Sequence, residues 1–288
     1  MAIPALPTVT TIVTEALKRA GRVTPSATQI QSAIDTALQE VKSDIMFKAP
    51  THRNLLATST AVTMRGQQRY FVPEDYNQMD SITMLDGPDD WRGLATAGTA
   101  NTITLASSLS VTEDDVVGRY ILLTDGPGFT QYRQITNYTP STKLCYVDVN
   151  WDPEPTGATS YLIVSQHPAL WPLSVKSELD KIQTPTQLGR PYFAVPQGQE
   201  FWLYPVPDKG TYGIVLRYYV DLSMLDETGL LFVQLLREWR SLWLQGVAVK
   251  SMQRYDEDRY VTELGIYNNM LDTLASHTAT VRQMRQED

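Results

Sequence analysis

The chain has 288 residues, 42% of them hydrophobic and 19% charged, with a formal net charge of −8. That balance excludes a disordered or fibrous protein, and the length allows one large domain or two ordinary ones. The negative total argues against a surface that neutralises phosphates by bulk charge, as most stand-alone nucleic-acid binders do.

The single cysteine, Cys145, has no partner for an internal disulfide, so the chain is not expected to depend on an oxidising compartment. The start "MAIPALPTVTTIVTEALKRAG" lacks a basic segment ahead of an apolar run. No stretch approaches the roughly 20 apolar residues of a spanning helix, so a soluble, cytoplasmically made protein with no membrane partner is expected.

Taken in chain order, Val9, Ile12, Val13, Ala16, Leu17 and Ala20 follow a helical period that ends at Gly21. Ser26 and Gln29 have capping-box spacing, and Ile30, Ile34, Leu38, Val41 and Ile45 continue a second helix up to Pro50. After Pro50 the period changes. Ala61 to Met64 and Ser81 to Leu85 read as strands flanking a corner near Gly66 and Pro73.

From Gly87 to Ser165 short strand candidates alternate with turns: "TANTITLAS", "GRYILLTDG", "YRQITNYT", "KLCYVDV" and "SYLIVS". Their even spacing predicts a small sandwich or barrel, with a helical signal only at "SVTEDDVVG". Helix is expected again at "PALWPLSVKSELDKI". Next, "RPYFAV", "EFWLYPVPD" and "TYGIVLRYYVDLSML" read as a three-stranded brace between helices, with turns at Gly198 and Gly210. Phe201, Trp202, Leu203 and Tyr204 make its middle strand apolar on both faces, which predicts burial between layers. The run "GLLFVQLLREWRSLWLQGVAVKSMQRY" predicts a central helix. From Asp256 to about Arg285, Tyr260, Leu264, Tyr267, Leu271, Leu274, Thr278 and Val281 alternate at steps of four and three, a heptad seam suited to a partner helix.

The expected fold is therefore α+β: a helical-bundle body with a small antiparallel sheet, 1–88 and 166–288, and an all-β, sandwich or barrel-like insertion at 89–165.

The search for chemistry finds little. His52, His167 and His277 are scattered and lack zinc-ligand spacing. No phosphate-cradling glycine loop is present, and "TDGPGF" between strands reads as a hairpin. No serine has a nucleophile-elbow context, and Cys145 sits in a strand as a small buried hydrophobe. The pairs Asp89–Asp90, Asp114–Asp115 and Asp256–Asp258 read as solvated turns or helix starts. Trp239 and Trp243 share a helix face with Leu236 and Val247, which predicts core. No catalytic residue, cofactor or metal site is expected.

The order of these segments resembles the bacteriophage head-to-tail adaptor proteins of the podovirus type. "RPYFAV", "EFWLYPVPD" and "TYGIVLRYYVDLSML", followed directly by a long helix, carry the resemblance. "RYFVPEDYNQMDSITML" is similar to the strand-corner-strand element of that family, and the β insertion is similar to a module of several phage structural proteins. The resemblance implies a virion protein at the head–tail junction, assembled in the host cytoplasm. It would form a homo-oligomeric, dodecameric ring between the portal protein and a nozzle or tail-tube protein. Double-stranded DNA would pass through without specific binding, as an acidic channel suits.

Within that expectation Tyr260, Leu264, Tyr267, Leu271 and Leu274 are subunit-interface candidates. Arg282, Met284 and Arg285, on a terminal helix that outruns its own core, are portal-contact candidates. Two rivals remain: another virion role such as stopper, tail-tube or decoration protein, and a glycan-binding or cell-wall-degrading enzyme.

Overall fold

The computed structural model describes residues 8–22, 24–88, 90–172, 187–227, 229–252 and 257–284. The chain divides into two compact units. One comprises Met1–Leu56, Glu74–Gln78 and Tyr219–Asp288, the other Ala57–Pro73 and Met79–Tyr218.

Among the described residues the first unit is built from six α-helices: α1 Val9–Arg19, α2 Ala27–Ala33, α3 Gln39–Lys48, α4 Leu230–Glu238, α5 Arg240–Met252 and α6 Glu257–Met284. Thr8 caps α1 by accepting the Thr11 amide at 3.2 Å, and the helix buries Val9, Ile12, Val13, Ala16 and Leu17. The capping box before α2 forms as its spacing predicts, with Gln29 N donating to Ser26 Oγ and Ser26 N donating to Gln29 Oε1. Between α2 and α3 the backbone takes a π-helical turn, Ile34–Leu38. That turn shifts the inward face, so Ala33 and Ala37 are buried while Ile30 and Ile34 are only half-buried; beyond it Leu38, Val41 and Ile45 return to the core.

Helix α5 is buried from Leu242 through Val249, the environment expected of a central helix. At Gly246 an added Cβ would meet Val41 Cγ2 at 2.7 Å and the Tyr267 ring at 2.8 Å, so the glycine sets how closely α3 and α6 approach α5. Each large side chain buried in this way contributes about 1.5–3 kcal/mol.

The second unit holds most of the strands. They are β1 Leu56–Val62, β2 Arg69–Phe71, β3 Tyr76–Asp86, β4 Arg92–Leu94, β5 Ala97–Thr99, β6 Thr102–Thr104, β7 Tyr120–Asp125 and β8 Tyr132–Thr139. After these come β9 Leu144–Val147, β10 Ser160–Pro172, β11 Leu188–Gly189, β12 Phe193–Gln197, β13 Glu200–Tyr204, β14 Val206–Pro207 and β15 Gly213–Val220. The main path runs β1-β15-β3-β10-β7-β8-β9-β6-β5. β2, β4, β12 and β13 attach off that path, giving thirteen connected strands.

This sheet overturns the expectation of a helical-bundle body. Among the described residues helix is 33% and strand 32%. The strands β1, β3 and β15 lie outside 89–165 yet ladder through β10 onto β7, β8 and β9. Their β-branched and aromatic residues form long strands, not short braces.

Two further expectations change. "PALWP" continues β10, with Ala169 and Leu170 opposite Thr83 and Ile82, so helix does not begin there; 173–186 lie outside the described residues. The three-stranded brace does not form either. β12 and β13 make a hairpin turning at Gly198, whose φ of +61° suits glycine, and β13 pairs onward with β2. β15 instead enters the main sheet between β1 and β3.

Strands β4 to β9 roll with the first half of β10 into a small barrel. β4 pairs with β10 and β5 with β6, and the chain passes directly from β4 to β5 through Ala95 and Thr96. Ala95 N donates to Thr159 O at 2.8 Å and Thr96 N to Thr104 O at 2.9 Å, which closes the curl. β7 at Ile121–Leu123 and β10 at Tyr161–Val164 are buried on both faces. Ile121, Leu123, Tyr161 and Ile163 face the barrel core, while Leu122, Leu162 and Val164 pack with Leu85 and Val215.

Candidate functional site

Among the described residues, Cys145, His52 and Asp115 are held in the protein's own packing and caps. Cys145 is fully buried in the barrel core, and burial pushes its thiol up to about 12, so it is no nucleophile at neutral pH. His52 is buried, its Nδ1 accepts the Asn54 amide at 3.2 Å, and its ring meets Trp239 edge-on at 5.0 Å. The side chains of His167 and His277 lie outside the described residues, as do Asp89, Asp256 and the Asp258 side chain. Asp115 takes both the backbone amide and the hydroxyl of Thr112 at 2.7 Å, the cap of the single turn Glu113–Val116. Those bonds hold its carboxyl below the usual range, chiefly through the Thr112 amide. Among the described residues, no group of three or more His, Cys, Asp and Glu could hold a metal.

The tryptophans divide. Trp243 is fully buried, donates Nε1–H to Leu235 O at 3.1 Å and lies 5.5 Å from the Phe232 ring. Trp202 is only half-buried, with the Arg69 guanidinium over its ring at 4.4 Å. One face of β13 is therefore less deeply covered than its alternation predicts. The same stacking recurs at Arg119 on Trp91 and Arg133 on Trp151.

The helical surfaces are more informative. Of the seam on α6, Tyr267, Leu271 and Leu274 are buried within the helical unit, whereas Tyr260 and Leu264 are half-exposed. Tyr267 Oη donates to Asp44 at 3.2 Å, Asp44 accepts from Lys250 Nζ at 2.8 Å, and Glu40 pairs with that ammonium at 3.6 Å, tying α3, α5 and α6 together. Burial, reinforced by the Asp44 charge and hydrogen bond, raises the Tyr267 phenol. Burial pulls the Lys250 ammonium down, but Asp44 and Glu40 outweigh it and hold the group above the usual lysine value. Lys250 is thus a fixed cation, not a base.

It lies beside an open cleft of about 270 Å³ lined by Leu17, Arg22, Ser32, Ala33, Glu40 and Ser251. Arg285 lies outside the described residues, as do the side chains of Arg282 and Met284.

Large apolar side chains remain exposed in both units. Phe47 is 85% exposed, beside Lys48, whose ammonium reaches Asp272 of α6 at 2.8 Å. Val261 and Ile266 face outward on α6, and Met64, Phe71 and Phe129 do so in the strand-rich unit. The π-turn and these outward residues escape sequence reasoning, because an isolated exposed Phe carries the same pattern as a buried one.

Compared with known proteins, the sequence matches no family, and no curated protein is significantly similar to it.

Proposed function

We propose that the chain is a structural virion protein. It would form a homo-oligomeric ring between portal and tail, extend the DNA channel and provide the tail attachment site. The observation that carries this reading is the exposure of Phe47, Val261 and Ile266 in one unit and Phe71 and Phe129 in the other, on a chain whose described Cys145, His52 and Asp115 serve its own fold. A closed ring needs two unlike contact surfaces per subunit, and separate outward apolar residues can supply them. The formal charge of −8 supports a channel wall along which a polyanion slides without sticking.

Tyr260 and Leu264 remain the seam residues open to a neighbour, and the C-terminal end of α6 is the proposed portal contact.

Sizing the purified chain alone and with a portal ring tests the proposal. A ring of this chain that forms on the portal supports it. Particle density for the chain along the tail or over the capsid would replace it with another virion role, and turnover of cell-wall glycan would replace it with an enzyme.

A further inference from the structure

We infer that Asp125–Gly126 is a self-modification site, where the backbone isomerises to isoaspartate through a succinimide, while the same tripeptide at Asp86 is held unreactive. The chemistry lies within one chain and is independent of the ring reading.

The chain contains "DGP" twice, at Asp86–Pro88 and Asp125–Pro127. An identical local sequence gives the two aspartates the same intrinsic tendency, so a difference between them is set by the fold. Glycine is the successor that best admits the reaction, because no Cβ keeps its amide nitrogen from the preceding carboxyl.

At Asp125 the fold brings the reacting groups together. Asp125 ends β7, is exposed, and sits beside the register shift between Ser160 and Tyr161 of β10. Gly126 N donates to Asp125 Oδ1 at 2.8 Å. The attacking nitrogen is thereby held against the group that it attacks, an arrangement in which orientation removes part of the barrier. The turn is fixed in place: Phe129 N donates to Gly126 O at 3.0 Å and Thr159 Oγ1 to Pro127 O at 2.9 Å.

At Asp86 the carboxylate is engaged elsewhere. It is half-buried on β3, opposite Ser165 of β10. Lys209 Nζ donates to Asp86 Oδ1 and, at 3.2 Å, to Gly87 O, with its ammonium 4.6 Å from the Tyr212 ring centre. Losing a carboxylate oxygen there would break a charge-assisted bond, which Asp125 does not have to do.

The step balances without an oxidant. Gly126 N loses its proton and bonds to Asp125 Cγ, and one carboxyl oxygen leaves as water, taking that proton and another from solvent. Water then adds to either imide carbonyl and returns the proton. Addition at Cγ restores aspartate, and addition at the main-chain carbon leaves the chain running through Cγ. Isoaspartate adds a carbon to the backbone beside β7, so aged chains should lose hydrogen-exchange protection in the loop joining β7 and β8.

Ageing the full wild-type chain at neutral pH, folded and in denaturant, tests the assignment. In the folded chain an Asp-specific protease should progressively fail to cut at Asp125, and a methyltransferase specific for isoaspartate should label that peptide. The rate should exceed that at Asp86 by about tenfold or more. In denaturant the two sites should react equally. Gly126 has a φ of +80°, and a Cβ there would meet Ala158 O at 2.5 Å, so the aspartate is the position to vary. Asp125→Glu, which keeps the charge but lengthens the ring to be closed, should abolish labelling of its peptide and leave Asp86 unchanged. Equal folded rates, a faster Asp86, or isoaspartate at Asp125 only in denaturant would each overturn the inference. The last result would mean that the turn restrains ring closure instead of promoting it.

Discussion

The helical unit and the strand-rich unit hold themselves together by different means. In the first, segments far apart in sequence are joined by charged pairs: Lys42 with Glu227, Lys250 with Asp44 and Glu40, Arg240 with Glu15, and Lys48 with Asp272. In the second, backbone ladders fix the strands, with the pairs Lys209–Asp86 and Arg217–Asp80 beside them and the guanidiniums of Arg119 and Arg133 over the rings of Trp91 and Trp151. Helices satisfy their own backbone groups and need side chains to choose their neighbours, whereas a strand chooses its neighbour through the backbone itself. The helical unit should accordingly respond more to pH and salt.

Truncating Trp243, the centre of the helical core, should have the largest effect. Trp243→Ala is expected to cost about 3–5 kcal/mol, read by chemical denaturation. Hydrogen exchange should place the loss in α4 to α6, and an equal loss in β7 to β9 would break the contrast. Ile163→Ala in the barrel core should cost about 2–5 kcal/mol, with lost protection centred on β7 and β10.

Lys42 sharpens the comparison, because it is 1% exposed, 3.3 Å from Glu227 and 4.7 Å from the Phe232 ring centre. Lys42→Ala should destabilise by about 2 kcal/mol, chiefly through the lost packing of its stem, because Gln39 still donates to Glu227 at 2.9 Å. Lys42→Met, which keeps the stem, should stay within about 1 kcal/mol of wild type. Equal losses for the two would show that the charge, not the packing, matters.

Alkaline pH comes next. Burial lifts the phenols of Tyr267 and Tyr161, the latter to about 12, above their usual 10.0. A raised folded pKa means the unfolded chain releases its protons first. The stability these groups contribute is complete below pH 10 and is lost as pH rises through the raised folded values. Tyr267→Phe should cost about 1 kcal/mol at neutral pH and flatten that alkaline loss, seen in denaturation at stepped pH. The smallest effect belongs to Arg240→Ala, expected below about 1 kcal/mol and vanishing in high salt, because the 2.6 Å pair with Glu15 is exposed.

Local chemistry made much of the fold readable. Ser26 and Gln29 announce a helix start, and "YRQITNYT" coincides with β8 because strand propensity and turn residues agree there. Readability fails where partners are distant. "PALWP" is a short apolar run with helix and strand equally open, and only its ladder to β3 decides it. Pro168 is accommodated at the register shift between Gln166 and Ala169, where the ladder needs no donor from it. The seam on α6 was legible as a seam, but periodicity does not say whose surface fills it. Tyr267 turns inward because Gly246 leaves room for its ring, a fact written on another helix. The exposure of Phe47, Phe71 and Phe129 is illegible for a similar reason, since exposure is set by what fails to pack.

Strand β10 carries a consequence for time as well as space. It ladders with β4, β7, β3 and, in parallel, β12. Strands β7, β8 and β9 are joined by short turns and can find each other quickly. β10 must instead close long loops to reach β3, and the entropy of that closure is lost before its contacts form. On sequence separation alone the barrel hairpins are expected to form first and β10 to dock afterwards. A one-residue slip there would turn its side chains over in the barrel and the sheet at once, so the strand acts as a proofreading step for the whole unit.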